Sequence, residues 1–206
     1  MRHTTDKTSI VFFDTQFRRQ VEERDYVLNP FETLAASHLK GDVLDLGSGL
    51  GNLSLEAGRR GHRVVAVDAS PTAVERINED ARREGLPVTA IQADLATWSI
   101  DQPYDTIVAI GLLMFFPRER ARALLRAVQD SVRPGGHAIV NVLLEGTTYK
   151  EMFDPKGHYL FSKTELEESF SGWTIACSSY DTFPAPGETT KKFSTVIALR
   201  SNSNGS

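Results

Sequence analysis

Short apolar runs alternate with longer amphipathic segments along most of the chain. Residues 43–46 form the first run, and later runs are followed by apolar residues at helical spacing. Asn29-Pro30 and Ser70-Pro71 are typical helix starts, whereas Gly41 and Gly85 are typical ends. The pattern predicts five strands, at residues 43–46, 63–67, 88–92, 105–110 and 138–144, with helices before and between them at 30–39, 52–60, 71–84 and 117–132.

This rhythm changes after Glu145. A polar stretch leads to a short helix in which Ser162 and Glu165 have the spacing of a capping box. Two further strands, at about 174–180 and 193–199, are predicted to pair antiparallel at the sheet edge. The loop between them, residues 183–192, is expected to reach over the edge where the parallel strands end. An α/β fold with a doubly wound, mostly parallel sheet and helices on both faces follows from this order.

The N-terminal forty residues differ from this core. Phe13, Phe17 and Val21 recur at helical spacing from Val11 onward. This segment, with Phe12 and Arg18, is expected either to close over a bound ligand as a lid or to cover one face of the sheet. We predict one domain over residues 1–200, with 1–40 as its cover and 201–206 as a disordered tail.

Composition narrows the function classes. The 206 residues are 40% hydrophobic and carry a net charge of −4, without the basic clusters of a nucleic-acid-binding protein. The single cysteine, Cys177, allows no internal disulfide and no cysteine metal cluster, and we expect it to be a buried structural thiol. No stretch reaches membrane-spanning length. The expectation is a cytoplasmic protein without a metal and without nucleic-acid or membrane partners.

A glycine-rich turn follows the first strand. Gly47, Gly49 and Gly51 allow a ligand to approach the backbone, and the helix that begins there offers free N–H groups to an anion. A dinucleotide fingerprint would need a third glycine where the chain has Asn52. Asp45, two residues before the turn, would repel a pyrophosphate but suits an ammonium group. The turn therefore favours a ligand with an amino-acid moiety.

Two more carboxylates lie at neighbouring strand ends. Asp68 ends the second strand, where an acidic side chain can accept hydrogen bonds from both ribose hydroxyls. Asp94 ends the third strand, where it could meet an adenine amino group. A single aspartate in such a position is often only a helix cap. The ordered set of Asp45, Asp68 and Asp94 favours ligand binding.

These features together resemble the class I S-adenosylmethionine-dependent methyltransferases, over residues 39–144. The resemblance implies a Rossmann-like fold with seven strands in the order 3-2-1-4-5-7-6 and S-adenosyl-L-methionine as cofactor. It also implies Asp45 near the methionine ammonium, Asp68 on the ribose and Asp94 with Leu95 beside the adenine. The cofactor contacts predicted in full are Asp45, Gly47, Ser48, Gly49, Gly51, Asp68, Ala69, Asp94, Leu95 and Ile110.

Within that superfamily the chain is more similar to the tellurite-resistance (TehB-like) branch. The similarity is carried by Asn29-Pro30-Phe31-Glu32, by the run from Leu112 to Phe116 and by the segment FSKTELEESFSGW. That branch implies a histidine- and arginine-bearing loop between the last two strands. This chain has Glu188-Thr189-Thr190-Lys191-Lys192 instead, which departs from the branch in the region expected to contact the substrate.

Candidate acids and bases are restricted by topology, because ligands bind at the carboxyl ends of parallel strands. His38, His62 and His137 precede their strands and are expected at the opposite edge. His158 is the remaining histidine of the core region, after the fifth strand. The catalytic candidates are His158, Tyr149 and Arg18, with Glu145 and Asp154 in the same region as His158.

The sequence predicts an enzyme that transfers a methyl group to a small molecule. No base motif is evident, which favours an acceptor that is already ionised: a thiol, a chalcogen oxyanion or a carboxylate. The alternative is a cofactor-binding module without catalysis, used for sensing or assembly. A dehydrogenase is the third and weakest hypothesis. The oligomeric state is left open.

Overall fold

The computed structural model describes residues 8–23, 26–154 and 157–202, and its centre is one seven-stranded sheet. The strands are β1 (Val43–Leu46), β2 (Val64–Asp68), β3 (Val88–Gln92), β4 (Tyr104–Ile110), β5 (Val132–Leu143), β6 (Thr174–Ala185) and β7 (Thr189–Leu199). Their order in the sheet is β3-β2-β1-β4-β5-β7-β6, which confirms the predicted topology. The first five strands pair in parallel and β7 runs antiparallel to both neighbours.

Helices cover both faces of the sheet, as predicted. On one face, Leu124 and Val128 of α5 pack with Leu166 of α6 against β4 and β5. On the other face, Leu55 and Ile77 bring α3 and α4 onto β1 and β2, joined by α2. The helices are α1 (Thr8–Glu23), α2 (Pro30–Ala36), α3 (Asn52–Arg59), α4 (Pro71–Glu84), α5 (Arg118–Ser131) and α6 (Glu165–Ser169), with a 3₁₀ turn at Leu113–Phe115.

The parallel register places the functional strand ends side by side. Asp45 of β1 is level with Ala66 of β2 and Val108 of β4, and Asp68 is level with Gln92 at the end of β3. Connections from these ends therefore leave the sheet along one edge. This edge carries the glycine turn, residues 47–51.

Three predicted details were wrong. β5 begins at Val132, because residues 133–136 form a bulge within the strand instead of a turn before it. A Cβ on Gly136 would lie 2.5 Å from the Asp105 carbonyl oxygen, so only glycine fits this bulge. The capping box at Ser162 is half formed: Glu165 Oε2 accepts from Ser162 N at 3.3 Å, but no side chain caps α6. Cys177 is only partly buried, since it lies on the edge strand β6.

The final hairpin also differs from the prediction. β6 and β7 extend to Ala185 and Thr189, so the predicted loop at 183–192 is mostly paired strand. Phe183 and Phe193 pack against Phe31 of α2, with ring centroids 5.6 and 4.8 Å from it. These contacts explain why a segment rich in turn residues remains extended.

Residues 1–7, which include His3, and residues 203–206 of the tail predicted at 201–206 lie outside the described residues. Within the described ranges, no helix is both long and apolar enough to span a bilayer.

Candidate functional site

A cavity of about 470 Å³ opens at the edge where the parallel strands end. Its floor is made by the glycine turn and the ends of β1, β2 and β4, and its roof by α1. The lining residues are Ser9, Ile10, Phe13, Gln16, Phe17, Gln20, Val27, Asn29, Glu32, Asp45, Gly47, Ser48, Gly49, Leu50, Asn52, Leu53, Asp68, Ala69, Ser70, Asp94, Leu95, Ile110, Gly111, Leu112, Phe115 and Phe116.

Nine of the ten predicted cofactor residues line this one cavity. The exception is Gly51, which faces α4: a Cβ there would lie 2.3 Å from Ile77 Cγ1. Gly51 has φ of 72° and forms the left-handed N-cap of α3. Its glycine is therefore required for packing the turn onto α4, a role different from the ligand contact predicted.

The other two glycines of the turn form cavity wall. A Cβ on Gly49 would lie 3.2 Å from Phe17 Cζ, across the gap between the turn and α1. On Gly47 it would lie 2.8 Å from Leu112 Cδ1. Both residues have positive φ, so glycine here permits both the turn and the close approach of the cover.

Arg76 is a buried residue of α4 that holds the glycine turn in place. Its guanidinium donates to the Leu50 carbonyl and, at 2.9 Å, to Asn52 Oδ1, and its Nε lies 3.0 Å from Asp80 Oδ2. The ring of Tyr26 packs on the guanidinium at 3.7 Å. Sequence reasoning missed this residue, because its helical spacing indicates only an ordinary amphipathic helix.

Asp45 is a buried carboxyl of the cavity with a raised pKa. It is 5% exposed, and Ser54 Oγ donates to its Oδ2 at 2.6 Å. Burial raises the pKa of Asp45 to about 7, partly offset by the Ser54 hydrogen bond, while the charges of Glu32 and Asp68 raise it further. A cation in the cavity would reverse this effect and favour the carboxylate.

Asp68 is held by backbone amides on both oxygens. Gly49 N donates to Oδ2 and Ser70 N to Oδ1, each at 2.8 Å, which joins the turn to the start of α4. Burial raises the pKa of Asp68, and these amide hydrogen bonds oppose the rise. Asp94 Oδ1 accepts from Ala96 N at 2.9 Å, which orders the turn after β3 beside Leu95.

Glu32 adds a fourth carboxylate to the cavity. It forms a capping box with Asn29, whose backbone N donates to Glu32 Oε2 at 2.8 Å. Burial raises the pKa of Glu32, and the Asn29 hydrogen bond lowers it only in part. The motif Asn29-Pro30-Phe31-Glu32 was visible in the sequence, but its spacing signals a helix start and not a position in the cavity.

Unsatisfied polar groups in the glycine turn fit an amino-acid moiety. Ser48 Oγ lines the cavity, is buried and has no hydrogen-bond partner among the described residues. No side chain caps α3, so its first amides are available to an anion. Asp45 and Glu32 supply negative charge for an ammonium at the same end. The residues present therefore fit the methionine part of S-adenosylmethionine.

The cover of the cavity is formed by α1 and the segment Leu112–Phe116. This position of α1 is compatible with both roles expected for residues 1–40, a lid over a bound ligand or a cover on one face of the sheet. Phe13 and Phe17 line the cavity, and the Phe13 ring meets Phe115 at 5.1 Å in an edge-to-face contact. Asp14 anchors the helix: its Oδ1 accepts from Ser70 Oγ at 2.5 Å. This contact joins the cover to the N-cap of α4, beside Asp68.

The predicted catalytic candidates do not line the cavity. Arg18 points away from it, is 67% exposed and pairs with Asp14 at 2.9 Å. His158 Nδ1 lies 3.0 Å from the Asp154 carbonyl oxygen, and its ring stacks on Phe153 at 4.6 Å. Tyr149 packs in a separate apolar cluster with Met114 and Phe153.

The physical reason is that the segment after β5 folds behind the cover. Phe153 contacts Phe115 at 5.3 Å, so one aromatic layer separates His158 from the cavity. Glu145 and Asp154 of the same segment also lie outside the lining. At the opposite edge, the rings of His38 and His137 are 6.3 Å apart, and His62 Nδ1 lies 3.0 Å from the Gly41 carbonyl oxygen.

Comparison with known proteins places this architecture in a family. Residues 43–136 match a family model described as a methyltransferase domain. A probable S-adenosyl-L-methionine-dependent methyltransferase TehB of Haemophilus influenzae is 28% identical over 132 residues, covering 64% of this chain and 45% of the relative. The 2-heptyl-1-hydroxyquinolin-4(1H)-one methyltransferase of Mycobacteroides abscessus is 33% identical over 140 residues, covering 66% and 60%.

Among solved structures, the crystal structure of TehB from Haemophilus influenzae superposes with a TM-score of 0.74 at 22% identity. It covers 88% of this chain and 65% of that one. The chain spans less than half the length of the first curated relatives that it matches. The domain match, the relatives and the shared strand order agree with the resemblance drawn from the glycine turn and the three aspartates. Residues 43–136 of this chain are therefore a methyltransferase domain with the class I strand order, and the chain is similar to TehB in sequence and fold.

Proposed function

We propose that this chain is a methyltransferase that transfers the methyl group of S-adenosylmethionine to a small molecule. The observation that carries the proposal is the single cavity in which Asp45, Asp68 and Asp94 end three neighbouring strands around the glycine turn. The cover supports a small acceptor, because α1 roofs part of the cavity.

Each part of the cavity has a distinct task in this proposal. Asp45, with Glu32 nearby, would bind the methionine ammonium, and Ser48 with the first amides of α3 would bind its carboxylate. Asp68 would bind the ribose, while Asp94, Leu95 and Ile110 would surround the adenine. Ala69 lies beside Asp68, where it would complete the wall of the ribose site.

The bound cofactor supplies an electrophilic methyl group on a sulfonium. Phe13, Phe17 and Phe115 would exclude water from this group and present aromatic faces, which favour a cation. Holding the acceptor within about 3.5 Å and in line with the methyl group provides much of the acceleration that such a transfer needs. The protein's contribution is thus mainly orientation and shielding.

The acceptor predicted from sequence was a thiol, a chalcogen oxyanion or a carboxylate. The resemblance to the tellurite-resistance (TehB-like) branch adds tellurite to these candidates, and the relative from Mycobacteroides abscessus is named as a 2-heptyl-1-hydroxyquinolin-4(1H)-one methyltransferase. These relatives support transfer to small molecules in general.

Calorimetric titration with S-adenosylhomocysteine tests the proposal. We expect binding by the wild type and a loss of at least about 100-fold in affinity for Asp68→Ala, which removes the proposed ribose acceptor and two anchors of the turn. Asp101→Ala is a matched control, since Asp101 is an exposed aspartate outside the cavity. Absence of binding by the wild type, or equal binding by Asp68→Ala, would contradict the proposal.

Methyl transfer itself needs a second measurement. Incubation with methyl-labelled cofactor and a panel of thiols, oxyanions, phenols and heterocycles should yield a labelled product. Binding without transfer to any acceptor would identify the chain as the cofactor-binding module that the sequence left as the alternative.

A further inference from the structure

The charge of the cavity is strongly one-sided. Four of its lining residues are acidic: Glu32, Asp45, Asp68 and Asp94. Within the described ranges, no lysine, arginine or histidine is part of the lining. The cofactor's single net positive charge would not balance four carboxylates. A negatively charged acceptor would therefore lose its hydration shell among like charges without gaining a side-chain cation as partner.

Basic side chains near this end of the sheet have other partners. Arg18 pairs with Asp14, and Lys191 lies over the ring of Tyr149 at 4.6 Å. Lys150 lies over Phe153 at 5.7 Å. Lys191 and Lys192 of the β6–β7 hairpin occupy the place where the TehB-like branch implied a basic loop. Neither lysine lines the cavity. Among the described residues, these side chains add no cation to the cavity lining.

The part of the cavity away from the glycine turn is apolar and aromatic. Phe13 and Phe17 of α1 face Phe115 and Phe116 after β4, with Ile10 completing the wall. The polar residues that α1 contributes to the lining, Ser9, Gln16 and Gln20, are uncharged. Phe13 contacts Phe17 in a tilted arrangement and Phe115 edge to face, and all three rings line the cavity, so this wall suits a planar aromatic ligand.

Resting on the proposed function, we infer that the acceptor is an uncharged heteroaromatic molecule whose ring nitrogen takes the methyl group. Such an acceptor satisfies both observations, because its flat body fits the aromatic wall and it brings no negative charge. This inference replaces the ionised acceptors predicted from sequence. The ionised acceptors were predicted because the sequence has no base motif. A neutral ring nitrogen also reacts without a base, because its lone pair is already available.

Charge balance supports this acceptor. The nitrogen lone pair forms the new N–C bond while the C–S bond breaks and its electron pair stays on sulfur, giving neutral S-adenosylhomocysteine. The positive charge moves from sulfur to nitrogen and remains inside the acidic cavity, where the carboxylates stabilise it throughout the transfer. With an anionic acceptor the charges would cancel, and this stabilisation would be lost in the transition state.

Nicotinamide and nicotinate form a matched pair of probes, since both contain the same ring nitrogen and only nicotinate is an anion. We expect kcat/KM for methyl transfer to nicotinamide and isoquinoline to exceed that for nicotinate, selenite and tellurite by at least about 100-fold. Gln16→Lys, which adds a cation to the uncharged wall, should reduce the preference for nicotinamide over nicotinate by about tenfold. Gln16→Met, a control of similar length, should leave that preference unchanged.

The outcomes separate this inference from the proposed function. Failure of the wild type to bind S-adenosylhomocysteine in calorimetry would remove the proposed function itself. Binding of S-adenosylhomocysteine together with faster transfer to nicotinate or tellurite would overturn the inference and leave the methyltransferase proposal standing. Binding together with no transfer to either neutral ring would also overturn it, as would an unchanged preference in Gln16→Lys.

Discussion

The floor and the cover of the cavity are built in different ways. The floor consists of the glycine turn and three strand ends, each positioned by hydrogen bonds to backbone, such as the two amides on Asp68. The cover consists of side chains from α1 and the segment Leu112–Phe116, positioned mainly by ring contacts. A floor held by backbone hydrogen bonds tolerates few substitutions. The packed rings of the cover can be substituted to fit a different methyl acceptor without disturbing the fold. One superfamily can therefore keep one cofactor and serve many acceptors.

The largest expected effect tests the rigidity of the floor. Gly51→Val places a β-branched side chain at φ of 72° and in contact with Ile77. We expect it to reduce the free energy of unfolding by about 5 kcal/mol, from backbone strain together with overpacking. Denaturant unfolding followed by circular dichroism measures this change.

Gly85→Val is the matched control for Gly51→Val. Gly85 has φ of 65°, but nothing lies within 4 Å of a Cβ built on it. Its cost should be the strain alone, about 2 kcal/mol. Equal destabilisation by the two variants would show that the contact with α4 does not restrict the turn.

The floor could be predicted from sequence because its signals are local. A strand, glycines at fixed spacing and an aspartate at each strand end are readable without knowing what packs where, and they place Asp45, Asp68 and Asp94 on one edge. Gly51 shows the limit of this reasoning. The motif identifies the glycine, but only the position of Ile77 shows that α4, not a ligand, requires it.

A second prediction concerns the buried charge in the floor. The pKa of Asp45 is about 7 in the fold and near its ordinary 3.8 when unfolded. Because the folded value is the higher one, Asp45 stabilises the protein below pH 4, and this stability is lost as the pH rises to 7. The loss amounts to about 4 kcal/mol at most. Asp45→Asn should therefore raise the melting temperature of the cofactor-free protein at pH 8 relative to wild type.

The same substitution should have the opposite effect on cofactor affinity. An ammonium group needs the ionised carboxylate, so affinity for S-adenosylhomocysteine should fall about tenfold per pH unit below 7 in the wild type. Asp45→Asn should bind at least about 100-fold more weakly at pH 8 and lose this part of the pH dependence. Asp68 and Glu32 also have raised pKa values, so the comparison rests on the difference between the two proteins. A melting temperature that Asp45→Asn does not raise would contradict the prediction.

A third, smaller effect concerns the anchor of the cover. Burial would raise the pKa of Asp14, but hydrogen bonds from Ser70 and Thr72 and the charge of Arg18 lower it overall. Asp14→Ala removes these contacts, and we expect dissociation of S-adenosylhomocysteine to accelerate about tenfold as α1 releases the cavity. Hydrogen exchange of residues 8–23 should increase in parallel.

Arg18→Ala is the control for the anchor. It removes only an exposed partner of Asp14, so its effect should stay within about twofold. If Asp14→Ala leaves both the dissociation rate and the exchange unchanged, α1 covers the cavity without closing it.

The cover could not be predicted to the same depth. Helical spacing identified Phe13 and Phe17 as one face of α1, whereas the run from Leu112 to Phe116 was noted only for its similarity to the TehB-like branch. Which charged residues join the cavity depends on tertiary packing: Glu32 enters it through α2, whereas His158 stays behind Phe153. The position of a residue after a strand end correctly indicated the edge of the sheet at which it lies. It did not show whether the side chain lines the cavity or belongs to the layer behind the lining.

The smallest expected effect tests that layer. His158 contacts Phe153 and the Asp154 carbonyl group but does not line the cavity, so His158→Ala should change kcat/KM for any acceptor by less than about threefold and leave its pH profile unchanged. Phe115→Ala is the comparison within the cover, and it should lower kcat/KM by at least about tenfold because it removes cavity wall. A pH profile that loses a limb in His158→Ala would show that this histidine takes part in proton transfer, and the acceptor would then need a base after all.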